Sequence, residues 1–369
     1  MSGPPLPRSL HVIGGKALGG AEGFFIRLVN ALHRTGAPVA VVTVAGGEID
    51  AAVDRSITRF HAPMWGAWDR YSRWLINRAA AAFGAHVVQT YMSRATRIVR
   101  VPTSAPVAHL ARLGGYYKLT GYRHADAWVG NTEGIRRYLA EGGLPREHCH
   151  VIGNFVDMPQ RQTDAELKRL RAQLHVPEDA RVILGLGRLH PNKGWSDLLQ
   201  AFAALPPSLA GHPLRLIMVG DGPLAAELHD QAKALGIDSR TTWAGWQKAP
   251  SPFYQMADVF VCASRHEPLG NVILEAWANE TLVLSTRAQG PLELVEDRVN
   301  GLLCEVGQPA ALAAGIRTAL SLQDEARAKL VSHGLEAVQT RYSEAAILAA
   351  YMDLYRQLAT QRGVSFPDN

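Results

Sequence analysis

Glu267 and Glu275 enclose the stretch of this sequence that carries the most chemical information, Glu-Pro-Leu-Gly-Asn-Val-Ile-Leu-Glu. Between the two carboxylates lie a Pro/Gly turn, an Asn suited to cap a helix, and the first apolar residues of a helix. A helix N-terminus offers unpaired backbone N–H groups and a positive dipole, so it attracts phosphate. Flanking carboxylates instead accept hydrogen bonds from hydroxyl groups. The combination suits a ligand in which a sugar is joined to a nucleotide diphosphate.

Two cations stand in a second motif, Gly-Leu-Gly-Arg-Leu-His-Pro-Asn-Lys-Gly at 185–194. The motif follows a predicted strand and precedes a predicted helix, so Arg188 and Lys193 should project from the loop at the carboxyl end of that strand. Arginine binds a diphosphate through its planar fork and lysine binds it as a point charge. Both would stabilise the charge that grows on a departing nucleoside diphosphate. An ordinary solvated loop is the alternative for this motif taken alone.

A glycine-rich turn follows the first predicted strand, Gly-Gly-Lys-Ala-Leu-Gly-Gly-Ala-Glu at 14–22. Its glycines, Gly19 and Gly20 among them, let the backbone approach a ligand, and the next helix offers its N-terminus to phosphate. The turn matches neither a Walker loop nor a clean Gly-x-Gly-x-x-Gly fingerprint. A plain tight turn is an equally good interpretation.

The three motifs together resemble the family-four retaining glycosyltransferases of the GT-B fold, in particular bacterial lipopolysaccharide and capsule enzymes. The order Gly-Gly-Ala-Glu, Gly-Arg-Leu-x3-Lys-Gly and Glu-Pro-Leu-Gly-Asn-x3-Glu-Ala carries the resemblance over nearly the whole chain. It implies that Glu275 binds the ribose diol and that Glu267 contacts sugar hydroxyls near the anomeric centre. The donor-binding residues that it implies are Gly19, Gly20, Gly245, Trp246, Leu269, Gly270, Asn271 and Glu275, with Gly245 and Trp246 near the base.

His109 matches the active-site histidine of that family, beside the donor sugar, and we predict a strand at 107–110 that carries it. The sequence after it, Leu-Ala-Arg, departs from the Gly or Asp that the family often has there. A structural histidine at the strand end is the alternative. The predicted catalytic residues are therefore His109, Glu267, Arg188 and Lys193.

The function that the resemblance implies is retaining transfer of a hexose-type sugar from a nucleotide-diphosphate sugar to a bacterial glycan or lipid-linked acceptor, such as lipopolysaccharide core. Hydrolysis with two opposed carboxylates is a poorer match, because Glu267 and Glu275 belong to one local element. A nucleotide-sugar hydrolase or epimerase of the same fold, or a non-catalytic nucleotide-sugar sensor, remains an alternative. No histidine spacing indicates a metal triad, so we expect no metal and no cofactor. The base can be uridine, guanosine or adenosine.

The elements that position these motifs alternate in a β-α-β rhythm, which predicts parallel sheets covered by helices. We predict an α/β fold of the GT-B type, with two doubly wound Rossmann-like domains facing across a cleft. Residues 1–157 would bind the acceptor and residues 158–344 the donor, and a helix at about 345–369 would pack back on the first domain. The charged segment 160–173 is expected to link the two domains. A chain of 369 residues is long enough for two cores.

Positive charge is concentrated between Trp65 and Arg123, where nine Lys/Arg stand against one acid in a chain of net charge +5. In the same segment Trp65, Trp68, Tyr71 and Trp74 recur at helical spacing, with arginines among them. Tryptophan and arginine on one amphipathic helix suit contact with an anionic membrane surface, although a core-facing helix would show the same spacing. No nucleic-acid motif is present. Three scattered cysteines and no apolar run of bilayer length indicate a cytoplasmic protein, and the Trp65–Arg123 segment would bring it to the inner face of the cytoplasmic membrane.

Overall fold

Short, strongly apolar segments form the strands of the computed structural model, which describes residues 6–16, 19–102 and 104–366. Half of them are buried along their whole length, as parallel strands covered on both faces must be. The strands are β1 Ser9–Ile13, β2 Val39–Thr43, β3 Thr58–His61, β4 Val87–Tyr91, β5 Ala108–Leu113, β6 Ala127–Gly130, β7 Cys149–Val151, β8 Arg181–Leu186, β9 Ser208–Leu209, β10 His212–Val219, β11 Thr241–Gly245, β12 Val259–Cys262, β13 Val283–Thr286 and β14 Leu302–Cys304.

Helices occupy most of the intervals between the strands, and their apolar faces lie against the sheets. They are α1 Gly20–Arg34, α2 Glu48–Ala52, α3 Arg70–Phe83, α4 Met92–Ile98, α5 Glu133–Glu141, α6 Asp164–Gln173, α7 Trp195–Ala203, α8 Ala225–Ala234, α9 Ser251–Met256, α10 Asn271–Ala278, α11 Pro291–Leu294, α12 Pro309–Leu320, α13 Asp324–Gln339 and α14 Glu344–Gln361. None of the helices in the described ranges has the length and apolar character needed to cross a bilayer.

The first folding unit contains the chain up to Phe155 and again from Ser343. Its parallel sheet has the order β3-β2-β1-β4-β5-β6-β7, so the strand order reverses between β1 and β4. Helix α14 belongs to this unit, because Tyr351 and Tyr355 are fully buried in the same core as Phe24 and Phe25 of α1. An ion pair of 2.7 Å between Arg34 Nη2 and Glu344 Oε2 joins the ends of these two helices.

The second unit runs from Val156 to Tyr342. Its sheet has the order β11-β10-β8-β12-β13-β14, all parallel, with β9 antiparallel to β10 at one end. The chain runs outward from β8 in one direction and then returns to β12, so the switch point lies between β8 and β12. Ligands of doubly wound sheets bind at the carboxyl ends of the strands beside such a point. The α/β class with two Rossmann-like sheets confirms the predicted fold class.

The expected linker at 160–173 is wrong over most of its length, because α6 starts at Asp164. Thr163 caps this helix, and Glu166 completes a capping box by accepting a hydrogen bond from the Thr163 N–H at 2.7 Å. Leu167 and Leu170 then pack against the core of the second unit. The charged residues form the outer face of a surface helix, which is why the segment lacks a strong core pattern.

Candidate active site

Two loops at the switch point of the second unit are joined through their backbones. One follows β8 and the other follows β12, and Asn192 O accepts hydrogen bonds from Arg265 N at 2.8 Å and His266 N at 3.1 Å. Gly194 has a φ of +65°, and a Cβ at this position would stand 2.0 Å from Ala263 O. Only glycine permits this approach of the two loops.

Lys193 and Glu267, one from each loop, form an ion pair with Nζ and Oε2 2.5 Å apart. Ser264 Oγ donates to the same carboxylate oxygen at 3.3 Å, and Glu267 is only 8% exposed. Burial alone would lower the pKa of Lys193, but the charge of Glu267 and the hydrogen bond to it raise the pKa above its ordinary value. Lys193 is therefore a cation at neutral pH, held beside a carboxylate.

A second ion pair fixes the β12 loop to helix α7. Arg265 donates from Nε and Nη2 to the two oxygens of Asp197, each at 2.7 Å, and Asp197 is 3% exposed. Such a two-point contact defines the orientation of both side chains. The loop that carries Glu267 is thus anchored by two ion pairs, one to Lys193 and one to Asp197.

Helix α10 begins directly after this loop, and its first residue is Asn271. The expectation that Asn271 caps the helix is wrong: Gly270 is the N-cap, with a φ of +103°. As a glycine, it contributes no side-chain cap to the first turn. Gly290 closes the other side of the turn, since a Cβ there would stand 2.4 Å from the backbone of Leu269.

Glu275 lies one turn into α10 and accepts a hydrogen bond from Tyr254 OH at 3.1 Å. Burial, and then the neighbouring Glu275 charge, raise the pKa of Tyr254 well above its ordinary value. The phenol therefore stays protonated and orients the carboxylate. Glu267 and Glu275 are consequently held by different groups, the first by a cation and a hydroxyl and the second by a buried phenol.

The remaining predicted residues of this unit stand on adjacent loops at the same edge of the sheet. Arg188 is exposed after β8, and its carbonyl accepts a hydrogen bond from Trp195 Nε1 at 2.8 Å. Gly245 ends β11 with a φ of +64° and accepts a backbone bond from Gly220 at 2.8 Å. Trp246 follows it and is 66% exposed.

In the first unit, Gly19 and Gly20 stand at the start of α1, with Gly19 as the N-cap. A Cβ on Gly19 would come within 2.7 Å of Glu22 Oε2, so the glutamate side chain folds back over this turn. Ala17 and Leu18 of the same motif lie outside the described residues.

His109 does not stand at the carboxyl end of its strand. The strand predicted at 107–110 is present, but its predicted end is wrong, because β5 continues to Leu113 and His109 is its second residue. The ring is 1% exposed, and its Nε2 lies 3.0 Å from Thr90 Oγ1, while its Nδ1 has no partner among the described residues. Burial, and then the charges of His124 and Arg100, lower its pKa well below 6.5. Arg112 occupies the strand end instead, and a catalytic role for His109 stays a prediction.

Comparison with known proteins gives two family matches that fall in different parts of the chain. Residues 18–160 match Glycosyltransferase Family 4, and residues 167–336 match Glycosyl transferases group 1. The chain is 34% identical to the lipopolysaccharide core biosynthesis glycosyltransferase LpsE of Rhizobium meliloti, over 91% of this chain and 95% of that protein. It is 32% identical to LpsD of the same organism, over 93% of this chain and 97% of that protein.

The chain belongs to glycosyltransferase family 4.

The fold of this glycosyltransferase is GT-B, as the resemblance implied. The crystal structure of Anabaena HepE in complex with UDP and glucose superposes on it with a TM-score of 0.80 and 22% identity, over 95% of this chain and all of that one. The similarity to LpsE and LpsD also shows that the protein is a glycosyltransferase of lipopolysaccharide synthesis.

Four aromatic side chains of the first unit of this glycosyltransferase lie in solvent: Trp65, Trp68, Tyr71 and Trp74 are 77%, 91%, 54% and 53% exposed. We name them the aromatic face. The expected helix covers only the last two, since α3 begins at Arg70. The core-facing alternative is wrong for all four, because each is exposed; α3 buries its other side, with Ile76, Ala79 and Phe83.

Sequence reasoning missed the residues that support the site of the glycosyltransferase. Tyr254 donates a hydrogen bond to Glu275, Asp197 accepts hydrogen bonds from Arg265, and Gly290 packs against the backbone of Leu269. Each of these contacts comes from another part of the fold. Tyr254 stands in the short helix α9, which gives no periodic signal, and its contact with Glu275 spans 21 positions. The pair Gly290-Pro291, shortly after the end of β13, is a local sign of the tight turn at the site.

Proposed function

We propose that this glycosyltransferase moves a hexose from a nucleotide-diphosphate sugar to a glycan of the lipopolysaccharide core, with retention of the anomeric configuration. The observation that carries the proposal is the pairing of Lys193 with Glu267 beside the start of α10, where Gly270 is the N-cap. A cation and the positive end of a helix dipole match a diphosphate, and the carboxylates match sugar and ribose hydroxyls.

In the proposed reaction the acceptor hydroxyl attacks the anomeric carbon on the side of the leaving group. The bond between that carbon and the diphosphate oxygen breaks, and the departing phosphate takes the proton of the hydroxyl. Lys193 and Arg188 stabilise the negative charge that develops on the diphosphate. Glu267 binds sugar hydroxyls near the anomeric carbon, and Glu275 binds the ribose.

Transfer of a radiolabelled sugar tests this function. UDP-glucose is the first donor to use, since the structurally similar HepE was crystallised with UDP and glucose; other UDP-, GDP- and ADP-hexoses follow. The acceptor is a set of truncated core lipopolysaccharides. We expect one donor to give a product whose new linkage has the donor's anomeric configuration by NMR. An inverted linkage would contradict the retaining mechanism.

The same experiment separates the alternatives. Release of free sugar without acceptor would favour a hydrolase, and appearance of an epimeric nucleotide sugar would favour an epimerase. Binding of the donor with no turnover over all acceptors would favour a sensor. We also expect transfer to be unchanged after treatment with EDTA, because the proposed charge stabilisation uses Lys193 and Arg188 rather than a metal.

We further propose that the aromatic face contacts anionic lipid at the inner surface of the cytoplasmic membrane. Trp65 and Tyr71 stack with ring centroids 6.3 Å apart, Tyr71 and Trp74 at 6.1 Å, and Arg78 lies 5.4 Å over the Trp74 ring. Exposed aromatic rings beside arginines suit the interface of a bilayer with negative headgroups. This contact would bring the enzyme to a lipid-anchored acceptor.

Sedimentation with phosphatidylglycerol vesicles and with phosphatidylcholine vesicles tests the membrane contact. We expect preferential binding to phosphatidylglycerol, reduced at least about tenfold by the double substitution Trp65→Ser and Trp68→Ser. Trp246→Ser is the matched control, because it removes an exposed tryptophan of the second unit. Equal loss in the control and the double variant would contradict the assignment to the aromatic face.

A further inference from the structure

Arg112 is a buried cation at the carboxyl end of β5, with 2% exposure. Its Nε donates to Tyr351 OH at 2.9 Å and its Nη2 donates to Asn154 Oδ1 at 2.5 Å. The guanidinium carbon lies 4.0 Å from the centroid of the Phe24 ring. All three neighbours are neutral, and no carboxylate of residues 6–16, 19–102 and 104–366 forms an ion pair with it. Buried charges are normally paired, so this one lacks its usual counterion.

Asn131 supplies an independent observation at the same place. It directly follows β6, the neighbour of β5, and is 6% exposed. Its Oδ1 is buried with no hydrogen-bond partner among the described residues. A buried carbonyl oxygen without a donor is uncommon in a folded protein. A ligand hydroxyl would satisfy it.

Gly114 lies between these two groups. A Cβ on this glycine would stand 3.7 Å from Arg112 Nη1 and 3.8 Å from Asn131 Nδ2, both ordinary contact distances. Arg112 Nη1 and Asn131 Nδ2 therefore both lie beside Gly114, and the unpartnered Oδ1 belongs to the same amide group as that Nδ2. Burial raises the pKa of Tyr117, the charge of Arg112 lowers it, and the charge of Glu22 raises it. Among the described residues, Glu22 and Arg112 form no ion pair with each other.

We propose that Arg112 and Asn131 form an acceptor subsite in which Arg112 binds a carboxylate or phosphate group and Asn131 Oδ1 accepts a hydrogen bond from a neighbouring hydroxyl. The acceptor sugar is then a sugar acid or a sugar phosphate rather than a neutral sugar. This inference rests on the proposed function, because it takes the first unit to bind the acceptor. It assigns the donor diphosphate to Lys193 and Arg188 and not to Arg112.

Binding of glucuronate, glucose 6-phosphate and glucose to the full-length protein, measured by NMR titration without donor, tests the subsite. We expect at least one of the two anionic probes to bind about tenfold more tightly than glucose. Arg112→Gln should remove this preference. Arg137→Gln is the matched control, because it removes the charge of an exposed arginine on α5 in the same unit. Equal affinity for all three probes, or a preference that survives Arg112→Gln, would overturn the proposal.

Two further variants keep the test decisive if Arg112→Gln fails to fold. Gly114→Ala adds a methyl group with ordinary contacts at a backbone conformation open to any residue, so it should preserve the fold and weaken anion binding about tenfold. Arg112→Lys keeps the charge without the fork and should retain part of the preference. Anion binding unaffected by Gly114→Ala would place the anion elsewhere and overturn the subsite.

Donor binding and transfer separate this inference from the proposed function. UDP affinity should be the same in wild type and Arg112→Gln, and a loss in the variant would assign the anion to the donor and overturn the acceptor subsite. A preference for anionic probes in a protein that transfers no sugar would count against the proposed function alone. Transfer with equal KM for an acceptor bearing glucuronate and for its methyl ester would overturn the subsite alone.

Discussion

The buried charges at the carboxyl edges of the two sheets are balanced in different ways. In the second unit the buried carboxylates of Glu267 and Asp197 are paired with Lys193 and Arg265, both at short distances. In the first unit Arg112 is buried among phenols, an amide and a phenyl ring. The loops of the second unit are therefore held by ion pairs within the protein, whereas Arg112 has no carboxylate partner among the described residues of the first unit. Charge balance, rather than sheet topology, distinguishes the two edges.

Removing Glu267 should give the largest effect on activity. Glu267→Ala removes the proposed contact with the sugar near the reacting carbon and leaves Lys193 without its partner. We expect kcat to fall by about 10²- to 10³-fold, or about 3–4 kcal/mol of transition-state stabilisation. Steady-state kinetics with the preferred donor measures the change.

Glu267→Gln is the matched control for shape, since it keeps the size of the side chain but not its charge. We expect most of the loss in kcat to persist in this variant. Unchanged kcat in both variants would mean that Glu267 has no role in catalysis. The ion pair between Lys193 and Glu267 would then contribute only to the stability of the fold.

Gly194→Ala should break the connection between the two loops of the second unit. The new Cβ would meet Ala263 O at 2.0 Å at a positive φ, so we expect a loss of about 3 kcal/mol in the free energy of unfolding. Gly236→Ala, with a φ of +68° and no atom within 4 Å of its Cβ, should lose only about 1 kcal/mol. Urea denaturation of both variants measures the difference. Equal losses would mean that backbone strain, not the contact between loops, requires the glycine at 194.

Lys193→Ala tests whether Lys193, which is paired with Glu267, also binds the diphosphate. We expect UDP affinity to fall about 30-fold, or about 2 kcal/mol, and uridine affinity to change little, because only the diphosphate carries the charge that Lys193 would bind. Isothermal titration calorimetry with both ligands measures it. Equal losses for UDP and uridine would contradict the phosphate role.

The strand ends of the second unit were predictable from sequence, because Gly-rich loops and the Glu-x7-Glu segment follow short apolar runs. The motif residues Arg188, Lys193, Glu267 and Glu275 accordingly lie on the loop and helix expected for them. The end of β5 was not predictable: Leu-Ala-Arg-Leu continues the strand beyond His109, and the buried Arg112 interrupts the apolar pattern that normally reveals a strand. A charge inside a core depends on neighbours from distant positions, here Asn154 and Tyr351, which no local pattern encodes.

Acidification should affect the two units differently. Within the described residues, the histidines whose pKa is lowered, His11, His86, His109, His124 and His150, all belong to the first unit. His11 is fully buried against Tyr91 OH and Ser9 Oγ, and burial lowers its pKa to about 3. A lowered pKa means that the unfolded chain binds a proton below about pH 6.5 and the folded chain does not, so stability falls as the pH falls from 6.5 toward 3.

Below about pH 6.5, each histidine with a lowered pKa should reduce the free energy of unfolding by at most about 1.4 kcal/mol per pH unit. Hydrogen exchange at pH 7.5 and pH 5 should therefore show protection falling more in the first unit than in the second. Denaturation of His11→Gln should show a shallower loss of stability over the same range, because glutamine cannot take up the proton. An equal fall of protection in both units, or an unchanged slope in the variant, would mean that the buried neutral histidines do not set the acid sensitivity of the first unit.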